Sequence, residues 1–426
     1  MSINEFIISL KSFIRFILLD IRRSAQAILL KYKYWRTKYR LKKAFGKRKI
    51  IVAFAVSEIA KWKYESLYEC LSQTEAYKPI IFVYPSPLDL NQDSSDIDLL
   101  LEEKINYFKK NQIEVINIWN RTENKCIIPN NIRPDIIFYQ QPWDIPPFLP
   151  PIKIADYALS FYIPYYLVNN FDINIEFGQS LHYQLYGYIV LNDQMANLYT
   201  SMLKHRLYAG KCLGLGHTIV DYLNQKNESD EINSVIYAPH FSFPIAGQDR
   251  ILTYSTFLDN GKLILQFAKE HPEIKWVFKP HPRLKWELRN TGVWSEAEID
   301  SYYNEWAKIG IVCTNSDYAP YFQNSFAMIT DCGSFLTEYS CMDKPLIRLY
   351  YHKENLPPNP ILEKLYNTFY YAHNNTELKE LLDKIIDQRQ DPHQNERHKE
   401  VTFLGLNKSD SVQNIVNYLD KLLKES

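Results

Sequence analysis

The chain has 426 residues, 46% of them hydrophobic and 15% aromatic, with 32 Tyr, 22 Pro and 12 Gly; this is enough apolar mass for the cores of two ordinary domains and excludes a disordered or fibrous chain. The formal net charge of zero conceals a polarity, because residues 1–50 hold 14 Lys or Arg against Glu5 and Asp20, leaving 35 basic and 47 acidic residues in 51–426. An acidic body excludes general nucleic-acid binding, and only the basic arm is built to meet an anionic surface.

Along residues 4–30 the apolar positions Phe6, Ile7, Leu10, Phe13, Ile14, Ile17, Leu18, Ile21, Ala25, Ile28 and Leu29 recur at three- and four-residue steps, which predicts an amphipathic helix. Lys11, Arg15, Arg22, Arg23 and the run of cations from Lys31 to Lys49 give it the pattern of a helix lying on an anionic bilayer interface. The competing reading is a first helix packed on its own domain with a solvated basic face. On the interfacial reading, truncation of residues 1–45 releases the protein from membranes and leaves its chemistry intact. Apolar stretches such as Phe13–Leu19 are too short to cross a bilayer, and no secretory cleavage pattern is present. The six cysteines Cys70, Cys126, Cys212, Cys313, Cys332 and Cys341 form no C-x-x-C pair, so a disulfide framework or zinc site is not expected and a reducing compartment fits.

From Lys49 onward, short apolar runs alternate with helical stretches: Ile50–Val56, Pro79–Tyr84, Ile113–Ile118, Asp135–Tyr139 and Tyr188–Leu191. The rhythm restarts at Ser234–Ala238, Ile274–Phe278, Ile309–Cys313, Ala327–Thr330 and Pro345–Leu349. Both series predict parallel α/β sheets, and the polar stretch NQKNESDEIN at 224–233 reads as the linker. The expected organisation is an N-terminal element over 1–48, a first Rossmann-like domain over 49–228 and a second over 229–426, with ligands bound beyond the carboxyl ends of the strands.

Six segments carry chemistry. In WVFKPHPRLK a strand ends in Lys279, Pro280, His281, Pro282 and Arg283; the prolines hold back a helix, and the cations and imidazole suit a diphosphate and its leaving oxygen. In AMITDCGSFLTEYS a strand runs through Asp331, Cys332, Gly333 and Ser334 into a helix. There Gly333 permits close backbone approach and the helix start suits phosphate, while Glu338, one turn on, is placed to accept ribose hydroxyls; plain helix capping is the alternative. In VIYAPHFS, His240 leaves the first strand of the second series, to grip a donor or to satisfy local backbone. In the first domain PDIIFYQQPWD and FYIPYY end strands in Gln140, Gln141, Trp143, Asp144 and Tyr165, which read as acceptor-side rims, and His182 stands in GQSLHYQLYGY.

The order YAPHFS, FKPHPRLK and SFAMITDCGSFLTEY, followed by KPLI, resembles the CDP-glycerol glycerophosphotransferase family of teichoic-acid and capsule polymerases over about residues 130–350. The resemblance implies a GT-B-like fold of two Rossmann-like domains, a CDP-activated donor held mainly by the second, a polymer or lipid-linked acceptor, and a peripheral position on the cytoplasmic face of the plasma membrane. It implies that His281 and Arg283 meet the donor diphosphate with Ser334, and that His182 is the general base on the acceptor hydroxyl, although L-H-Y-Q stands here where the family has W-H-G-T-P. No Asp-x-Asp stands at a plausible strand end, so no metal and no cofactor is expected. A glycosyltransferase using a nucleotide sugar, and a non-catalytic membrane-bound scaffold, remain the alternatives.

Overall fold

The computed structural model describes residues 3–86, 89–91, 94–143, 145–146, 149–168, 179–204, 210–225, 233–245, 247, 250, 253–314, 317–351 and 358–424, with side chains other than those of residues 3–20, 22–23, 91, 94–95 and 204. The chain divides into two compact units. Unit 1 comprises Met1–Tyr165, Ile173–Thr218 and Asp410–Ser426; unit 2 comprises Tyr166–Asp172 and Ile219–Ser409.

The sheet of unit 1 is built from β1 (Ile50–Val56), β2 (Tyr77–Val83), β3 (Val115–Asn117), β6 (Ile136–Tyr139), β7 (Leu159–Tyr162), β8 (Gly187–Val190) and β9 (Lys211–Gly214), beside a small antiparallel pair of β4 (Trp119–Asn120) and β5 (Lys125–Cys126). Its order is β3-β2-β1-β6-β7-β8-β9, every pairing parallel. The near-continuous apolar run of β1 follows from burial on both faces of a parallel sheet. Phe54, Phe138 and Phe161 stand in register across β1, β6 and β7 and stack at 5.3 and 5.4 Å. Gly187 is the next rung, and a Cβ there would lie 2.7 Å from the Phe161 ring, so the ladder itself demands glycine.

Unit 2 repeats the plan with β10 (Ser234–Ala238), β11 (Lys275–Phe278), β12 (Gly310–Val312), β13 (Ser325–Thr330), β14 (Leu346–Leu349) and β15 (Tyr370–Ala372). The order is β12-β11-β10-β13-β14-β15, again parallel throughout. Its core is aromatic, with Phe278 stacked on Trp306 at 5.0 Å and Tyr237 on Phe278 at 5.8 Å. In both sheets the chain runs outward from one central strand, returns, and runs outward the other way. The reversal falls between β1 and β6 in unit 1 and between β10 and β13 in unit 2, and an open α/β sheet binds its ligands in the crevice at that point. The two doubly wound sheets are the expected GT-B-like fold class.

Three expectations about boundaries are corrected. The first helix runs Ile3–Ala44 and is not separate from the domain behind it: Ala27, Leu30, Tyr34, Thr37 and Leu41 are buried, Tyr34 Oη meets Ser160 Oγ at 2.5 Å and donates to Gln184 O at 2.6 Å, and Thr37 Oγ1 donates to Ala155 O at 2.7 Å. The main stretch of unit 2 begins at Ile219 rather than 229, and Tyr166–Asp172 belongs to it as well; residues 226–232 of the expected linker lie outside the described residues. The last helix, Ser411–Lys424, belongs to unit 1, where Ile415, Val416, Leu419, Leu422 and Leu423 join the core and Tyr77 Oη donates to Asp420 at 2.7 Å. An apolar stripe states that a helix packs, not on which sheet. Among the described residues no helix is long and apolar enough to cross a membrane.

Candidate functional site

At the reversal point of unit 2 the strand ends are knitted together by Asp331, just beyond β13. Its Oδ1 accepts the backbone N–H of His240 at 2.6 Å, and its Oδ2 accepts the N–H and hydroxyl of Thr256 at 2.7 and 3.0 Å. The carboxyl is buried, and desolvation pushes its pKa up to about 6 against the pull of these bonds. Thr330 Oγ1 donates to Ala238 O at 2.6 Å, a second tie between β13 and β10. Asp331 therefore holds His240 and the start of the helix Phe257–Glu270 in place, and its expected role as a donor contact is corrected, because its oxygens face backbone.

The loop beyond β11 continues the sheet for three residues: Lys279 N–H donates to Tyr237 O at 2.8 Å and His281 N–H to Pro239 O at 2.9 Å. The helix Leu284–Thr291 begins only after Pro282 and Arg283. This brings the His240 and His281 rings to 4.9 Å, with Phe241 at 4.5 Å from each. The Arg283 guanidinium lies over Phe241 at 4.6 Å and Trp286 at 5.5 Å, with half of its side chain exposed.

Local bonds assign the tautomers. Arg283 N–H donates to His281 Nδ1 at 3.1 Å, and Ser242 N–H donates to His240 Nδ1 at 3.2 Å, with Ser242 Oγ at 2.8 Å from the same atom. Each Nδ1 is an acceptor, so each neutral ring carries its proton on Nε2. Desolvation, then Arg283 and Lys279, lower His281 to about 4; desolvation, then His281 and Arg283, hold His240 well below its ordinary value. At neutral pH the pair is two N–H donors beside a guanidinium, suited to phosphate oxygens.

The three cations of the K-P-H-P-R-L-K segment separate. Lys279 is buried, its Nζ 5.7 Å from the Tyr318 ring and 6.0 Å from that of Phe335, and desolvation lowers its pKa. Lys285 turns to Asp300 at 2.9 Å, leaving Arg283 as the exposed cation beside the imidazoles. The helix Gly333–Ser340 opens with no side-chain cap, Ser334 half-buried in its first turn with Oγ 3.5 Å from Cys332 Sγ. Glu338 is buried and accepts the Tyr318 hydroxyl at 2.5 Å, so it is an internal acid beside Lys279 rather than the free ribose acceptor expected.

In unit 1 the structure corrects the general base. His182 is fully buried, its ring 5.5 Å from those of Tyr162 and Tyr188, and desolvation lowers its pKa to about 3; a ring with that affinity and no exposure is a poor proton acceptor for an incoming hydroxyl. Gln140 and Gln141 are buried beyond β6, with Trp143 and Tyr165 half-buried and edge-to-face at 6.4 Å; Asp144 lies outside the described residues. Sequence reading missed Glu58 and Lys61, beyond β1, whose ion pair at 2.5 Å reaches Gln141 at 2.7 Å. Their only signal was position: the first residues after the first strand, in a sheet whose order the sequence does not state. Among the described residues one trio, His271, Glu273 and Asp387, brings potential metal-ligand atoms within 4.8 Å of one another; His271 and Glu273 precede β11, at the opposite end of that strand from His281.

No protein-family model and no curated protein matches the sequence. Solved structures do share the fold. UDP-GlcNAc 2-epimerase from Neisseria meningitidis, bound to UDP-GlcNAc, is 12% identical and matches 88% of this chain and all of its own at a TM-score of 0.55. The wall teichoic acid polymerase TagF is 12% identical and matches 100% of this chain and 98% of its own at 0.56; a TagF variant soaked with CDPG matches the same shares at 12% identity and 0.52. A polymerase of the kind the sequence motifs resemble thus stands among the structural neighbours, and at these identities the likeness is one of fold.

Proposed function

We propose that the chain is a transferase of the CDP-glycerol glycerophosphotransferase kind, moving glycerol phosphate or a related polyol phosphate from a CDP-activated donor onto a growing capsule or teichoic-acid-like polymer. The observation that carries this reading is the pair of Nε2-protonated imidazoles, 4.9 Å apart, beside Arg283 at the reversal point of unit 2. In the reaction an acceptor hydroxyl attacks the β-phosphorus of the donor, a P–O bond forms, the phosphoanhydride breaks and CMP leaves with its electron pair, while the proton of the hydroxyl passes to solvent water. Charge then grows on phosphoryl oxygens, where fixed N–H donors and a cation stabilise it most. His281 and His240 donate from Nε2, Arg283 supplies the charge, and the first turn containing Ser334 supplies backbone N–H groups. Full-length fold likeness to a teichoic acid polymerase supports the polymer setting, and the basic first helix supports a peripheral position on the cytoplasmic face of the membrane.

A second reading, a glycosyltransferase using a nucleotide sugar, is favoured by the equal likeness to an epimerase bound to UDP-GlcNAc. Calorimetry with CDP-glycerol, CDP, UDP and UDP-GlcNAc separates the two. The proposal expects cytidine-selective binding that weakens at least about 10-fold in Arg283→Ala, and CMP release that falls about 10²-fold in His281→Ala. Preference for the UDP-sugar moves the protein to the second reading, and binding of no nucleotide removes both.

A further inference from the structure

The chain folds one strand order twice, and the reversal point of unit 1, between β1 and β6, has chemistry of its own. Beyond β1 the single turn Ile59–Lys61 carries Lys61 back over the strand end; beyond β6 stand Gln140 and Gln141. The two ends are tied across the crevice by Lys61 Nζ, 2.5 Å from Glu58 Oε1 and 2.7 Å from Gln141 Oε1. Gln141 Nε2 donates to Trp143 O at 3.1 Å, the Trp143 ring meets Tyr165 edge-to-face, and Lys61 Nζ lies 5.3 Å from the Tyr165 ring centre.

Gln140 is the unexplained member. Its backbone carbonyl accepts Tyr165 N–H at 3.0 Å, which pins the loop, but the residue is 2% exposed and, among the described residues, neither Nε2 nor Oε1 has a hydrogen-bond partner. A buried amide left so costs about 1–3 kcal/mol for each unmet group, a cost that apolar neighbours do nothing to offset and that a ligand can remove. An amide offering one donor and one acceptor side by side matches a hydroxyl, which needs both. Charge decides between ligand classes: Lys61, the cation that ties the two strand ends, is already balanced by Glu58, while an aromatic pair suits the C–H face of a sugar or polyol.

We infer that the reversal point of unit 1 is a second ligand site, taking a neutral polyhydroxylated group, with Gln140 as the residue that reads its hydroxyls. On the transferase reading above, on which this rests for the name alone, the group is the hydroxyl-bearing end of the acceptor.

The test is saturation-transfer-difference NMR on the full chain with methyl β-D-glucopyranoside and glycerol as neutral probes, glycerol 3-phosphate as the anionic one and CMP as the nucleotide, in wild type, Gln140→Leu and Arg283→Ala. Leucine keeps the shape and removes both polar atoms. Neutral-probe transfer is expected to fall at least about 10-fold in Gln140→Leu with CMP unchanged, and the reverse in Arg283→Ala; thermal stability of Gln140→Leu is expected to hold or rise. Neutral-probe transfer that is absent in wild type, or undiminished in Gln140→Leu, overturns the inference. So does stronger transfer to glycerol 3-phosphate than to the neutral probes, or a fall in the stability of Gln140→Leu, which would make the amide structural. Absence of CMP transfer in wild type counts against the transferase alone and leaves the polyol arm readable.

Discussion

Asp331 and His281 lie at the strand ends on either side of β10 and divide the labour between scaffold and chemistry. Asp331 spends both oxygens on His240 and Thr256, so Asp331→Ala leaves two buried N–H groups unpaired and takes the acceptor from the Thr256 hydroxyl, a loss of about 3 kcal/mol or more. Urea unfolding should report that loss, with nucleotide affinity falling alongside it as His240 drifts. His281→Ala, whose ring meets Phe241 and His240 and accepts one exposed backbone N–H from Arg283, should change CMP release and leave the urea midpoint nearly in place. The motif D-C-G-S made a turn legible, but the direction of a carboxylate is decided by which partners fold within 3 Å, and those lie 75 and 91 positions away.

The first helix carries two messages in one periodicity. Its described face toward the sheet holds Leu30, Tyr34, Thr37 and Leu41, while Ile28, Tyr32, Trp35 and Tyr39 are exposed, with Tyr32 on Trp35 and Trp35 on Tyr39 stacked at 6.2 Å each and Lys43 Nζ 4.3 Å from the Tyr39 ring. Burial of side chains of this size contributes on the order of 5 kcal/mol, comparable with the whole stability of an ordinary domain. Truncation of residues 1–45, read from sequence as harmless to the chemistry, should therefore unfold unit 1, whereas removal of residues 1–20 spares every contact described above. Circular dichroism melts should separate the two, and sedimentation with anionic vesicles should show weaker binding for the shorter truncation. Equal vesicle binding with and without residues 1–20 would place any membrane contact on the exposed aromatic face from Ile28 to Lys43.

Across the whole molecule the buried imidazoles set the response to acid. In unit 1, desolvation lowers His182 and His217 to about 3; in unit 2 it lowers His281 to about 4 and His240 further, while Asp331 rises to about 6. A histidine whose folded pKa is depressed takes its proton first in the unfolded chain, so its contribution to stability is lost as pH falls below about 6.5. The raised carboxyl of Asp331 acts the other way, favouring the fold as pH falls through about 6. Between about pH 4 and 6 these groups therefore give unit 1 a slope of about two protons, roughly 2.7 kcal/mol per pH unit, against about one proton, roughly 1.4, in unit 2. Hydrogen exchange along a pH series should find unit 1 opening first; the opposite order would mean that other groups control acid unfolding. In His182→Phe the slope of unit 1 should drop by about one proton.

The apolar runs and their spacing determined two parallel α/β sheets, the order of most strands along the chain and the loops that carry His240, His281 and Ser334, because a strand buried on both faces must be apolar throughout and a loop that ends it must be polar. Strands as short as Lys211–Gly214 and Tyr370–Ala372 left too little pattern to read. The tertiary structure alone decided which strands are neighbours, and with that the two reversal points, the inward turn of Asp331 and Glu338, the burial of His182, the return of Ser411–Lys424 to unit 1 and the meeting of Lys61 with Gln141. Local pattern records the environment each residue needs, while the partner that supplies it comes from pairings between residues far apart in the chain, which no short window of sequence contains.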